Sequence, residues 1–196
     1  MRDRVSILVG PDGRGRCGWV GDDELYRRYH DDEWGSPLRG DRNLFEKIML
    51  EAFQAGLSWI TILRRREQLR DAFDQFDPAE IANYSTADVA RLLADPRIIR
   101  NRLKVSAAIT NAQATLELTR DAPGALDTLL WQFAPPPRTQ RLTSLMDIPA
   151  VTAQSTAMSK ALKAHGFHFV GPTTMYALMQ SAGMVDNHIE GCWRTA

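Results

Sequence analysis

The chain has 196 residues, with 24 basic and 24 acidic side chains and no net charge when histidine is neutral. That length allows one core, or two small lobes sharing a cleft; 44% hydrophobic and 24% charged residues is ordinary for a soluble globular chain. No apolar run approaches the roughly 20 residues needed to span a bilayer. Met1–Arg16 lacks a signal peptide's charge layout and cleavage site, so no membrane association and a cytoplasmic location are expected, and the neutral balance lends no bulk-charge support to a nucleic-acid partner.

Residues 1–15 read as a flexible N-terminal extension, and residues 16–196 as a single all-helical domain of two lobes. Asp22, Asp23, Glu24, Asp31, Asp32 and Glu33 form an acidic stretch between two aromatic-rich turns. Asn43 followed by Glu46 predicts the cap of a helix running to about Gly56, with Leu44, Phe45, Ile48, Met49, Ala52 and Phe53 on its apolar face. Ser58 predicts the cap of a next helix holding Ile60, Ile62, Leu63, Leu69 and Phe73. Asp77-Pro78-Ala79-Glu80 carries a cap, a first-turn proline and an acid at the third position. Ser85 with Asp88 opens a short helix that stops before Asp95-Pro96, and a longer one is expected from about Arg97 to Leu118. After a break at Asp121–Gly124, Leu126–Phe133 reads as helix, and Ala134–Pro137 as a rigid connector. Helix returns over Ala153–His165, ending on Gly166, and Pro172 opens a last one ending near Gly183. No alternating strand pair and no internal repeat are visible, so the predicted fold class is all-α.

Two basic clusters stand out: Arg64, Arg65, Arg66 and Arg70, then Arg97, Arg100, Arg102 and Lys104. Charge alone leaves each as either a solvated helix face or a phosphate contact. The chain's two cysteines, Cys17 and Cys192, lie at its opposite ends. An intracellular chain argues against a disulfide between them. Cys17 precedes His30 by thirteen positions and His188 precedes Cys192 by four. Four such ligands close a tetrahedral zinc site with no open position for water, which would make the ion structural. Spacing alone leaves open two reduced cysteines and two ordinary histidines.

Three stretches then fit together. They are Arg16-Cys17-Gly18-Trp19 with Tyr29-His30-Asp31-Asp32-Glu33-Trp34-Gly35; Phe45-Glu46 through Glu51 with Gln54-Ala55-Gly56-Leu57-Ser58-Trp59; and Ser159-Lys160-Ala161-Leu162-Lys163, Gly166-Phe167 and Phe169-Val170-Gly171 with His188 and Cys192. From about Arg16 to Cys192 this resembles the 3-methyladenine DNA glycosylase I family. The resemblance implies a helix-hairpin-helix glycosylase-like bundle with a second, zinc-stapled helical lobe. It implies one structural zinc ion held by Cys17, His30, His188 and Cys192. It also implies a base pocket formed by Tyr29, Trp34, Glu51 and Trp59, with Trp19 close by. The activity implied is base-excision repair: hydrolysis of the N-glycosidic bond of 3-methyladenine in alkylated double-stranded DNA, by a monomer, leaving an abasic site.

The chemistry suits those residues. A base inside a duplex must be rotated out of the stack before it can be cleaved. Methylation at N3 makes adenine cationic, so electron-rich rings and a carboxylate favour it over normal adenine. A cationic purine is already an activated leaving group, and positioning can carry much of the rate. On a helical wheel, at about 100° per residue, Glu51 falls at the edge of the apolar face, beside Lys47 and Gln54. It is the expected catalytic and base-recognising residue; the competing reading is a boundary glutamate paired with Lys47. The tryptophans could equally be core packing.

Val185-Asp186-Asn187-His188 looks like the run that carries a catalytic aspartate in the wider superfamily. Asp186 is therefore either a cleft carboxylate or a group that orients His188. Gly166, Val170, Gly171 and Lys160, around the hairpin at His165–Pro172, are the expected DNA-backbone contacts, because a helix N-terminus can hold phosphate without net positive charge. A non-catalytic DNA-binding module and a zinc hydrolase are the competing functions.

Overall fold

The computed structural model describes residues 7–194. Ten α-helices lie among them: α1 (Glu24–Asp32), α2 (Asp41–Gln54), α3 (Trp59–Leu63), α4 (Arg66–Ala72), α5 (Pro78–Ile81), α6 (Thr86–Ala94), α7 (Arg102–Thr119), α8 (Ala125–Trp131), α9 (Ala153–Ala164) and α10 (Pro172–Ser181). The all-α expectation is met, with one addition. Strands β1 (Ile7–Val9) and β2 (Gly15–Cys17) pair antiparallel, Ile7 opposite Cys17. Three residues per strand are too few to show an alternating pattern, so the pair left no trace in the sequence. Of the stretch read as an extension, residues 1–6 lie outside the described residues and residues 7–15 form this strand and its turn.

Local chemistry explains most helix ends. Asp77 accepts from the Ala79 N–H at 2.9 Å ahead of Pro78. Ser85 and Asp88 form a reciprocal capping box, and Thr152 and Ser155 another at α9. Three boundaries differ from the sequence reading. The acidic stretch contains α1, capped by Asp23, whose carboxylate accepts from the Tyr26 N–H at 3.1 Å. Helix α2 begins at Asp41 rather than after Asn43, whose amide instead donates to the Arg39 carbonyl. The long helix begins at Arg102, because Asn101 supplies the cap by accepting from the Lys104 N–H. The helix expected after Ser58 also breaks at Arg65 (φ −108°, ψ 6°), which lets Leu63 and Leu69 pack into different clusters.

The larger cluster gathers around α2, where Leu44, Phe45, Ile48, Met49, Ala52 and Phe53 meet Val105, Ala108 and Ala112 of α7 and Met175, Leu178 and Met179 of α10. Each fully buried large side chain contributes about 1.5–3 kcal/mol. The smaller cluster joins Cys17, Tyr29, Trp34, Leu63, Ile189 and Cys192, residues drawn from both ends of the chain. Helix α2 reaches both, and its C-terminal carbonyls at Phe53 and Ala55 accept from the buried Lys104 ammonium at 2.8 and 2.7 Å.

The turn between α9 and α10 is tightly specified. Gly166 sits at φ 84° and Phe169 at φ 57°. Fully buried Asn111 of α7 brackets His168, accepting from its N–H at 2.7 Å and donating to its carbonyl at 3.1 Å. No helix among the described residues is long and apolar enough to cross a membrane.

Candidate functional site

Helix α1 delivers Tyr26, Tyr29 and His30, which at spacings of three and four share one face. His30 turns toward the C-terminal segment. Cys17, His30, His188 and Cys192 are all buried, and one ligand atom from each lies within 4.8 Å of every other. The Cys192 Sγ is 3.5 Å from both His30 Nε2 and His188 Nδ1, and the Cys17 Sγ is 3.9 Å from His188 Nδ1. Zinc with Zn–S of about 2.3 Å and Zn–N of about 2.0–2.1 Å in a tetrahedron requires S···N edges of about 3.5 Å. The four residues therefore fit the ion.

The far ring nitrogens are oriented as metal-binding imidazoles require. His30 Nδ1 lies 2.8 Å from Asp31 Oδ1, and His188 Nε2 lies 3.3 Å from the Trp34 carbonyl. Asp31 is itself held by Arg16 at 2.6 Å and by the Trp193 indole at 3.1 Å. A hydrogen bond from Cys17, followed by those from His188 and His30, pulls the Cys192 thiol far below its ordinary pKa.

Beside this cluster, Trp19, Tyr29, Trp34, Glu51 and Trp59 line one cavity of about 300 Å³, together with Tyr26, Gln54, Ala177, Gln180 and Ser181. That volume is at the small end of ligand pockets. Trp19 meets Trp34 edge to face at 5.1 Å, and Tyr29 tilts against Trp59 at 5.3 Å. All five residues expected from the sequence thus share one wall system. Ser181, Gln180 and Ala177 were missed, because they come from α10, more than a hundred positions away, and no local pattern marks them.

Glu51 is only 3% exposed, not the boundary residue of the helical wheel. Its Oε1 accepts from the Ser181 hydroxyl at 2.8 Å, while its Oε2 has no partner. The Trp59 Nε1 in the same cavity is equally buried and without a partner. A buried carboxylate oxygen and a buried indole N–H left unmatched in one cavity ask for a ligand that donates to the first and accepts from the second, because unmade buried bonds cost about 1–3 kcal/mol each. Burial raises the Glu51 carboxyl to about 7, against the opposing pull of Lys47 and the Ser181 bond. Burial and then the Glu51 charge push Tyr29 well above its usual value, so it stays a neutral phenol.

A larger cavity of about 590 Å³ lies along the Pro135–Arg141 segment and includes Asp186. On its wall Arg138 donates to Asn187 at 2.8 Å and Asn187 donates to the Tyr176 hydroxyl at 3.0 Å. Unlike the smaller cavity, it presents no orphaned buried atom. Asp186 accepts the His188 backbone N–H at 2.9 Å and faces Arg141 at 3.7 Å; it does not line the aromatic cavity. Around the hairpin, Val170 is fully buried, backbone included, which leaves it no free surface for the DNA contact expected from the sequence, whereas Lys160 and Gly166 are exposed. Gly171 caps α10 without a side-chain bond. The first basic cluster is largely paired, Arg64 with Asp23, Arg66 with Glu33 and Arg70 with Glu46, whereas in the second Arg97 pairs with Asp95 and Lys104 donates to the Phe53 and Ala55 carbonyls.

Residues 19–195 match the family described as methyladenine glycosylase. The DNA-3-methyladenine glycosylase 1 of Escherichia coli (strain K12) is 48% identical over 178 residues, which span 90% of this chain and 95% of that one. A crystal structure of 3-methyladenine DNA glycosylase I superposes with a TM-score of 0.88 at 47% identity, covering 92% of this chain and all of the other. A variant of 3-methyladenine DNA glycosylase I in complex with 3-methyladenine superposes with a TM-score of 0.83 at 34% identity, covering 89% of this chain and 94% of that one.

Proposed function

The chain belongs to the methyladenine glycosylase family, and on that premise we propose that it excises 3-methyladenine from alkylated DNA with the aromatic cavity as its base site. It is a DNA glycosylase of base-excision repair, a hydrolase of the N-glycosidic bond. The observation that carries the site assignment is the pair of unmatched buried atoms, Glu51 Oε2 and Trp59 Nε1, set among Trp19, Tyr29 and Trp34. An extruded purine offers both an amino donor and a ring-nitrogen acceptor, and its π face suits the indole and phenol walls.

Glu51 is the residue that meets the reacting base. Its carboxylate accepts from the base and faces the positive charge that methylation places on the ring. Cleavage neutralises that charge, so the leaving group needs little further activation. Selective binding and orientation then supply much of the rate, with water as the attacking nucleophile and an abasic site as product. The rings reinforce this choice, because a cation over an indole or phenol face gains about 0.5–2 kcal/mol that neutral adenine does not.

Cys17, His30, His188 and Cys192 would hold one zinc ion, with His30 bound through Nε2 and His188 through Nδ1. With four protein ligands the ion supplies folding energy rather than chemistry: it ties the strand at Cys17 to the segment ending at Cys192 and so stabilises the smaller lobe. Asp186 serves this arrangement by fixing the His188 backbone. The hairpin between α9 and α10 is the DNA grip of a helix-hairpin-helix unit: Gly166 and Gly171 present backbone, Lys160 adds charge, and buried Val170 anchors the turn to the core.

The test is to incubate zinc-loaded protein with methylated double-stranded DNA and identify the bases released. Release of 3-methyladenine, weakened at least tenfold in Glu51→Gln and Trp59→Ala, is expected from loss of about one ligand hydrogen bond or ring each. Absence of release from folded, zinc-loaded wild type would move the function to another lesion or to DNA binding alone.

A further inference from the structure

The charge state of this cavity depends on a residue that does not line it. Lys47 lies one helical turn before Glu51 on α2 and is only 7% exposed. Its ammonium sits 5.4 Å from the ring centroids of both Tyr29 and Trp59. It opens onto a separate cavity of about 110 Å³, shared with Glu33, Glu46, Arg66 and Arg70. Lys47 therefore stands behind the two rings whose other surroundings form the base site.

The charges around it are already committed. Glu33, just past α1, pairs with Arg66 of α4 at 2.5 Å, and Glu46 of α2 pairs with Arg70 of α4 at 2.8 Å. From α10 only the Ser181 hydroxyl reaches Glu51, and from α1 only the neutral Tyr29 faces it. Among the described residues Glu51 is thus left with one nearby cation, and Lys47 with one uncommitted carboxylate. A buried carboxyl without a cation prefers to keep its proton. Protonated, it would offer the base a hydroxyl where a carboxylate is needed and no counter-charge to a cationic ring.

We propose that Lys47 is a positioning residue of the base site, whose ammonium, held behind Tyr29 and Trp59, keeps Glu51 a carboxylate free to accept from the methylated base. The assignment rests on the base-site reading given above. Lys47 does not touch the base; it acts through Glu51. Burial raises Glu51 and the Lys47 charge opposes that rise. Lys47 is in turn lowered by its own burial, an effect that Glu51 and Glu33 counter.

The experiment follows the Glu51 carboxyl by carbon NMR across pH in zinc-loaded wild type, Lys47→Met and Lys47→Arg, with Glu51→Gln identifying the resonance. Methionine keeps the length and helix preference of lysine without its charge. The midpoint is expected to rise by about one pH unit or more in Lys47→Met and to stay near the wild-type value in Lys47→Arg. Base release from methylated DNA is measured beside it. If the midpoint moves from about 7 to about 8, release at pH 7 falls about fivefold and recovers at higher pH. Damage to packing alone would not recover with pH. If Lys47→Met does not fold, Lys47→Gln replaces it with the same expectation. Superimposable Glu51 titrations in the charged and uncharged variants would overturn the role of Lys47. Failure of the wild type to release any base would instead overturn the function reading, and it would be seen in a separate measurement.

Discussion

Replacing Glu51 by glutamine is expected to stabilise the free protein while abolishing efficient base release. Below its ordinary value of 4.5, the Glu51 carboxyl is protonated whether the chain is folded or not. As pH rises from there, the unfolded chain gives up this proton while the buried carboxyl holds it until about 7, so folding stability falls across that window. Above about 7 both states are ionised and the penalty is constant. At about 1.36 kcal/mol per unit, the displacement from 4.5 to about 7 amounts to about 3 kcal/mol, and about 2 kcal/mol of it falls between about pH 5.5 and about pH 8.5. Glutamine cannot ionise, and its carbonyl can still accept from Ser181. The stability of Glu51→Gln over wild type should therefore widen by about 2 kcal/mol between those pH values, or about 4–8 °C in Tm for a chain of this length. Urea denaturation of both proteins at the two pH values, with zinc saturating, measures the difference; titrating groups that do not feel the Glu51 charge cancel. A gap that stays constant with pH would refute the reasoning, because it would mean that Glu51 ionises in the folded protein as it does in water.

Two further perturbations address the other parts of the site. Purified protein is expected to carry one zinc ion, and chelation or Cys192→Ser should expose the remaining thiol to a thiol reagent and remove amide-exchange protection from β1, β2 and residues 188–194 while the α2–α7 core stays protected, as metal analysis and hydrogen exchange would show. Asn111→Leu removes both bonds to His168, so affinity for undamaged duplex should fall several-fold while binding of free 3-methyladenine is unchanged, a split that titration calorimetry with each ligand would detect.

Legibility of the sequence followed the range of each interaction. Caps at Asp77, Ser85 and Thr152 act over two or three residues, and the helices they open stand where local chemistry places them. The break at Arg65 was invisible because its cause is long-range: Leu63 and Leu69 belong to different clusters. Glu51 shows the same limit. The wheel placed it at a boundary because only α2 was in view, yet Ser181 of α10 covers it from 130 residues away. The cysteine and histidine set could be named from the sequence, but the fit of its edges to a tetrahedron could not. The first arginine cluster ran the other way: sequence left it open as a phosphate contact, and Asp23, Glu33 and Glu46 turn out to pair with three of its four arginines, while in the second cluster Asp95 pairs with Arg97.

This pairing bears on selectivity. With no net charge on the chain and Arg64, Arg66, Arg70 and Arg97 already paired, bulk attraction to DNA does not distinguish a damaged base, and discrimination falls to the buried cavity. Adenine and 3-methyladenine differ by one methyl group and one charge, and a methyl group alone is worth only about 1–3 kcal/mol. The charge is the larger handle. A carboxyl that resists ionisation in the free protein uses it well: an arriving cation relieves the about 3 kcal/mol that burial imposes on Glu51, and a neutral base does not. Lys47 then has to be near enough to keep the carboxylate available, and far enough behind Tyr29 and Trp59 not to fill the cation's place. At 5.4 Å from both ring centroids, and lining a separate cavity rather than that of the base, its ammonium meets both conditions.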